Sequence, residues 1–297
     1  MNRSLPKAII KGFERTEAIL DGVRITYEIG GSGPPLLLLH GYPQTHAMWH
    51  KVAPQLARDY TVITPDLRGY GDSDKPDAGK DHGGYAKRVM ARDQVRLMDR
   101  LGFERFYVAG HDRGARVTHR LALDHSHRVI KAAVMDIVPT LTVFETTDQA
   151  LATAYYHWFF LIQGDGLPEK LIGADPEAYL MAKLGHWSRD GFKFDAKALK
   201  EYKRCFGTET IHASCEDYRA AASIDLVHDR ADRRTKLSVP LLVLWGAHGA
   251  MARIYDVLAT WEEKATDVRG MPVDSGHFLP EEAPEQTVSA LRGFFTG

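Results

Sequence analysis

Phe106-Tyr107-Val108-Ala109-Gly110-His111-Asp112-Arg113-Gly114-Ala115 is the stretch on which the reading of this chain turns. Phe106 to Ala109 reads as a short buried strand and Ala115 to Leu123 as a helix. Between them lies Gly-x-Asp-x-Gly, a sharp turn in which a side chain at either glycine would collide with its neighbours. Such a turn lifts its central side chain above the sheet edge and sets it at a helix N-terminus, where an anion is stabilised. A strand–turn–helix of this kind is the setting of a nucleophile elbow, here with Asp112 at the tip. Taken alone, Asp112 would serve equally well as a helix cap.

Outward from this turn, strand and helix signals alternate. Val23 to Tyr27, Leu36 to Leu39, Thr61 to Thr64 and Ala132 to Met135 read as strands, and Arg88 to Leu101 as an amphipathic helix stopped at Gly102. Short continuous apolar runs separated by helices predict a mostly parallel α/β sheet with helices on both faces. After Pro139 the pattern changes. Residues 141–230 carry no strand-like run and are rich in aromatics, which predicts a helical cap inserted after the strand ending at Asp136. The core is then residues 1–140 together with 231–297. Its last elements are a strand at Leu241 to Trp245, a short strand near Thr266 to Val268 and a helix near Pro284 to Phe295.

Composition removes several classes. Lys+Arg 38 against Asp+Glu 39 leaves a formal net charge of −1 over 297 residues, so no global field exists to hold nucleic acid or an anionic membrane. No apolar run approaches the ~20 residues of a membrane span. The first fifteen residues are interrupted by charges and do not read as a signal peptide. Cys205 and Cys215 form no CxxC, which argues against a disulfide framework and a cysteine zinc site. The expectation is a cytoplasmic protein with reduced thiols, no metal and no organic cofactor.

Asp as the elbow residue changes the chemistry. A carboxylate needs no base to deprotonate it and attacks sp³ carbon directly, forming an ester. The partner order on such a fold is nucleophile, acid, histidine. His277, in the loop Asp274-Ser275-Gly276-His277-Phe278 before the last helix, is the expected base. The turn after Leu241 to Trp245 carries no carboxylate, so Asp136 is assigned to fix the His277 tautomer. The oxyanion hole should come from the backbone N–H groups of Arg113 and Tyr42, the latter in the loop Leu39-His40-Gly41-Tyr42-Pro43. Asp66 to Ser73 reads as a structural turn.

With these residues in place, His40-Gly41-Tyr42-Pro43-Gln44, Asp66-Leu67-Arg68-Gly69-Tyr70-Gly71-Asp72-Ser73 and Gly110-His111-Asp112 resemble the epoxide hydrolase and dehalogenase branch of the α/β-hydrolase superfamily. The run from Gly110 to Arg116 looks in particular like the fluoroacetate (haloacetate) dehalogenases, and the likeness extends over nearly the whole chain. It implies an α/β-hydrolase fold, a helical cap and often a homodimer. Arg113 and Arg116 lie three apart in the first turn of a helix and share a face. Two guanidiniums there would clamp a substrate carboxylate and hold its α-carbon over Asp112. The resemblance implies halide donors at His157, Trp158 and Tyr218, all N–H or O–H groups suited to an anion. The expected substrate is a small 2-haloacid such as fluoroacetate or chloroacetate, converted to glycolate through an Asp112 ester. The alternatives are an epoxide hydrolase, with Tyr218 and one of Tyr155 or Tyr156 activating the epoxide oxygen, and a non-catalytic ligand-binding protein on a hydrolase fold.

Overall fold

A computed structural model describes residues 5–297. Eight strands form one sheet: β1 Glu14–Leu20, β2 Val23–Gly30, β3 Pro35–Leu39, β4 Thr61–Pro65, β5 Phe106–His111, β6 Val129–Met135, β7 Leu241–Gly246 and β8 Val268–Val273. Their order is β1-β2-β4-β3-β5-β6-β7-β8. β1 and β2 pair antiparallel, β2 joins β4 antiparallel, and from β4 to β8 every pairing is parallel. Leu36 to Leu39 at the centre are fully buried, as a parallel strand covered on both faces requires.

The order places the site. The chain steps from β3 to β4 on one side and then crosses to β5 on the other, so the loops leaving β3 and β5 diverge. The crevice at such a switch point is where open α/β sheets bind ligands. Here it is bordered by His40–Tyr42 after β3 and Asp112 after β5.

Both edges of the sheet extend beyond what periodicity predicts. β1 has no counterpart in the sequence reading, because its inward positions are Arg15, Ala18 and Leu20, and the charge at Arg15 breaks the apolar alternation. Arg15 is buried against Glu201 at 3.1 Å and Asp72. At the other edge the strand lies at Val268–Val273 rather than Thr266 to Val268. Gly270 and Pro272 read as breakers, but an edge strand tolerates a proline with no N–H to give.

Among the described residues, the chain between Met135 and an isolated bridge from Leu237 to Ala265 forms helices only, from Thr140–Glu145 to Ile224–Ala231. Their starts are written in the sequence. Asp148 caps Leu151 N–H, Asp175 caps Ala178 N–H ahead of Pro176, and Asp195 caps Lys197 and Ala198 N–H. No helix among the described residues is long and apolar enough to cross a membrane.

One tie between the helical segment and the sheet domain is a buried carboxylate. Glu281 accepts from Tyr202 Oη at 2.8 Å and Gln44 Nε2 at 2.9 Å. Burial pushes its carboxyl up to about 8, against the smaller downward pull of these donors and Lys51. The folded state therefore holds this proton more tightly than the unfolded chain. The stability this contributes is complete below the ordinary glutamate value and is lost as pH rises from about 4.5 through 8. Glu281→Gln keeps an acceptor for Tyr202 and removes the titration. Its stability, followed by urea denaturation between pH 5 and 9, should lose a few kcal/mol less than the native protein's over that range. Parallel curves for the two proteins would refute the assignment.

Candidate active site

The elbow is strained as the sequence requires. Asp112 sits at φ 47°, ψ −114° and opens the helix Arg113–Asp124. A Cβ on Gly110 would run into the carbonyl oxygen of Gly114, and one on Gly114 into that of His40. Gly41 lies against the Asp112 side chain, where any larger residue would displace it. This close approach lets Tyr42 N–H donate to Asp112 Oδ1 at 2.8 Å. His40 fixes the loop from below: its Nε2 accepts from Leu67 N–H at 3.0 Å while Nδ1 donates to Gly41 C=O at 3.1 Å.

His277 faces the other carboxylate oxygen. Its Nε2 lies 3.9 Å from Asp112 Oδ2, and its Nδ1 donates to Asp136 Oδ2 at 2.6 Å. Asp136 also has positive φ, 52°, and its Oδ1 accepts from Gly246 N–H at 2.9 Å. Strained residues at φ > 0 thus supply both carboxylates of the set. Burial would lower the His277 imidazole, but the hydrogen bond and charge of Asp136, with the Asp112 charge, hold it above its ordinary value. Burial would raise Asp112, yet His277, His111, Arg113 and Arg116 keep its carboxyl below the usual range. The nucleophile position is therefore ionised at neutral pH.

Arg113 and Arg116 are both buried beside Asp112, but their forks are engaged differently from a shared clamp. Arg113 gives Nε to Asp217 Oδ2 at 2.9 Å and Nη2 to Asp217 Oδ1 at 2.7 Å, with a further bond to Asp217 C=O. Asp217 also pairs with Lys87 and accepts from Tyr70 Oη at 2.6 Å. The two-toothed edge of Arg113 thus belongs to Asp217, and only Nη1 lacks a protein partner. Arg116 gives Nη1 to Val138 C=O and Thr140 Oγ1, each at 3.0 Å, and leaves Nε without one. Burial and the neighbouring Arg113 charge lower Arg116 to about 10, so it remains charged.

The three remaining predicted residues close over these arginines. The Tyr218 ring lies 4.1 Å from the Arg113 guanidinium and the Trp158 ring 4.4 Å from that of Arg116. The His157 ring lies tilted against both Tyr155 and Trp187, with centroids at 5.2 and 4.6 Å. Burial, then the Lys183, His277 and arginine charges, hold His157 well below its ordinary value, so it is neutral. Tyr218 Oη, Trp158 Nε1 and His157 Nδ1 are buried without a protein partner. Tyr156 turns away: it is 47% exposed, with its ring 3.6 Å from Lys183 Nζ. A cavity of about 280 Å³ reaches His277 between Tyr155, Trp187, Gly249 and Arg253.

Sequence reasoning assigned no role to Asp217, the residue immediately before the predicted Tyr218. The available signal was electrostatic, since an arginine committed to the interior needs a carboxylate partner. It also passed over His111, whose Nε2 donates to His277 C=O at 2.7 Å. Burial and the His277 charge lower His111 to about 3, so it is neutral. Asp66 is structural, as expected: it accepts from His46 Nδ1 at 2.7 Å and from Asp72 N–H at 3.0 Å. For a metal, Glu169, His212 and Glu216 come together among the described residues. Arg219 Nη1 already bridges both carboxylates at 2.7 Å, so the cluster is an ion-pair network.

An elbow, a carboxylate–histidine pair and a parallel sheet with helices inserted after β6 together define a hydrolase architecture, and the chain belongs to the α/β hydrolase fold family, which it matches over residues 34–284. Within that family it is 44% identical to a fluoroacetate dehalogenase from Burkholderia sp, over 97% of this chain and 95% of that protein. It is 34% identical to a soluble epoxide hydrolase from Corynebacterium sp. (strain C12), over 94% and 96% of the two chains. A crystal structure from Nostoc sp PCC 7120, described as an α/β hydrolase, superposes with a TM-score of 0.94 at 60% identity, covering 96% of this chain and 98% of that one.

Proposed function

We propose that this protein is a hydrolytic dehalogenase of small 2-haloacids, acting through an ester on Asp112, with residues 141–230 as its cap. Asp112 Oδ2 attacks the α-carbon as the carbon–halogen bond breaks and the halide leaves with the bonding pair. His277 Nε2 then takes a proton from water, which attacks the Asp112 carboxyl carbon. The charge that develops on Oδ1 falls where Tyr42 N–H already donates, with the Arg113 N–H as the second donor. Collapse breaks the bond between the carboxyl carbon and Oδ2, the His277 imidazolium returns its proton to the leaving alkoxide, and the hydroxyacid departs, glycolate from a haloacetate. The new carboxyl loses its remaining proton to water and is again a carboxylate. The homodimer and the cytoplasmic setting belong to the same reading.

The observation that carries it is the set of buried donors left without protein partners around one carboxylate. Each unsatisfied buried group costs about 1–3 kcal/mol, more when charged, and such groups call for an explanation. Arg113 Nη1 and Arg116 Nε are cationic and suit the two oxygens of a carboxylate, one from each arginine. Trp158 Nε1, Tyr218 Oη and the neutral His157 suit a departing halide. The epoxide hydrolase relative gives a second reading with Tyr155 and Tyr218 as the epoxide-activating pair, but an epoxide leaves both guanidiniums unanswered. Fluoro-, chloro- and bromoacetate incubated with the protein should release halide, read with ion-selective electrodes, while a styrene-type epoxide should not be opened. Diol formation without halide release would favour the epoxide reading, and neither product would point to a binding protein.

Arg113→Lys tests the clamp. A lysine cannot hold both Asp217 oxygens and still present an N–H at the Nη1 position. Losing one charged hydrogen bond worth ~1.5–3 kcal/mol should raise KM for chloroacetate about 10–100-fold. Unchanged steady-state kinetics would remove Arg113 from substrate binding.

A further inference from the structure

Glu282 lies outside the set that touches substrate, on the short helix Leu279–Glu282 that follows His277. Its carboxylate accepts three backbone N–H groups. Oε2 takes Gly276 at 2.9 Å and Arg189 at 2.7 Å, and Oε1 takes Phe278 at 2.8 Å. Two of the three flank His277 in sequence, while the third belongs to the segment that ends the cap helix Pro176–Trp187. The same two segments touch elsewhere. His277 N–H donates to Trp187 C=O at 2.8 Å, and a Cβ on Gly276 would press on Arg189 N at 2.6 Å and Trp187 C=O at 2.7 Å. The catalytic loop therefore lies flat against cap backbone, with one carboxylate stitched across the seam.

We propose that Glu282 is a positioning residue that fixes the imidazole of His277 by fastening its loop to the cap, so that the water-activating step depends on the cap being seated. The inference rests on His277 being the base in the proposed dehalogenation. Charge-assisted bonds to backbone N–H are among the stronger ones available, and here they restrain both neighbours of the base at once. The other side-chain bonds to His277, from Asp136 at its Nδ1 and His111 at its carbonyl, do not reach the cap; the bond from its own N–H to Trp187 C=O does. The Glu282 charge also adds to those of Asp136 and Asp112 in raising the His277 imidazole, while burial opposes them.

Glu282→Gln keeps the shape, turns an N–H₂ toward one of the three donors and removes the charge. Displacement by Asp112 does not use His277, so rapid-quench chloride release in the first turnover should keep its native rate. Steady-state turnover should fall about tenfold or more. The acid limb of its pH profile should move to lower pH, because a neighbour that raised the imidazole has become neutral. Burst and steady state falling together, or a native rate and limb in a variant with native circular dichroism, would overturn the proposal. If Glu282→Gln does not fold, Glu282→Asp keeps the charge and withdraws the oxygens by one methylene, and should show the same kinetic split with an unmoved limb. Failure of both to fold would make the staple a fold-wide element and overturn its catalytic assignment. No halide release by the native protein would defeat the dehalogenase reading itself, which the variants cannot do.

Discussion

His277→Ala is expected to release about one halide per active site and then stop, since only the second half-reaction needs a base. In the proposed reaction the first step uses Asp112 Oδ2 and the donors on Arg113, Arg116, His157, Trp158 and Tyr218, none of which depends on the imidazole for a bond. The second needs a proton acceptor beside Asp112, and His277 Nε2, 3.9 Å from Oδ2, is engaged in no hydrogen bond. Of the other imidazoles nearby, His40 has both ring nitrogens bonded, His111 gives Nε2 to the His277 carbonyl and is lowered by burial to about 3, and burial holds His157 well below its ordinary value, so none matches His277 as a base. The arrested protein should carry a glycolyl ester, seen as added mass on a peptide containing Phe106 to Arg116. Stopped turnover without added mass would mean that no ester forms. Steady turnover near the native rate would mean that another group activates the water.

The expected split follows from features that differ in how far the sequence exposes them. The elbow is local: Gly110 and Gly114 are required by backbone contacts within a few residues and with the strand beside them, so their spacing carries the geometry. Tyr42 is legible for a similar reason, because a backbone N–H after β3 survives any change of side chain. Asp136 and His277 are legible by order along a fold whose strands announce themselves as apolar runs. Arg113 shows the limit. Its position predicts a guanidinium beside the nucleophile, but not that Asp217, 104 residues later, takes two of its N–H groups. Glu282 is less legible still, because its partners are backbone N–H groups that carry no residue signature. β1 escaped notice because its inward face holds Arg15, paired through Asp72 and Glu201 in distant segments. What periodicity misses here is polar burial satisfied by partners far along the chain.

Asp112→Asn should remove the burst that His277→Ala preserves. The amide is isosteric, and its oxygen can keep the Tyr42 N–H bond at the Oδ1 position, which leaves a neutral Nδ2 facing the substrate carbon and His277. An amide nitrogen does not displace halide, so activity should fall about 10⁴-fold or more, as when other covalent nucleophiles are removed. Substrate binding should survive, because Arg113 and Arg116 are held by Asp217, Val138 and Thr140 rather than by Asp112. Removing a nearby negative charge should, if anything, tighten a carboxylate ligand. Glycolate titrated calorimetrically into the variant should therefore bind at least as well as to the native protein. The native enzyme supplies the complementary result. In a single turnover in heavy-oxygen water the proposed attack on the Asp112 carboxyl carbon should place the label in Asp112 and let the first glycolate leave unlabelled. Label in the first glycolate would mean that water attacks the α-carbon directly. Asp112 would then be a general base, and the strained turn that raises it above the sheet would be serving proton transfer rather than bond formation to carbon.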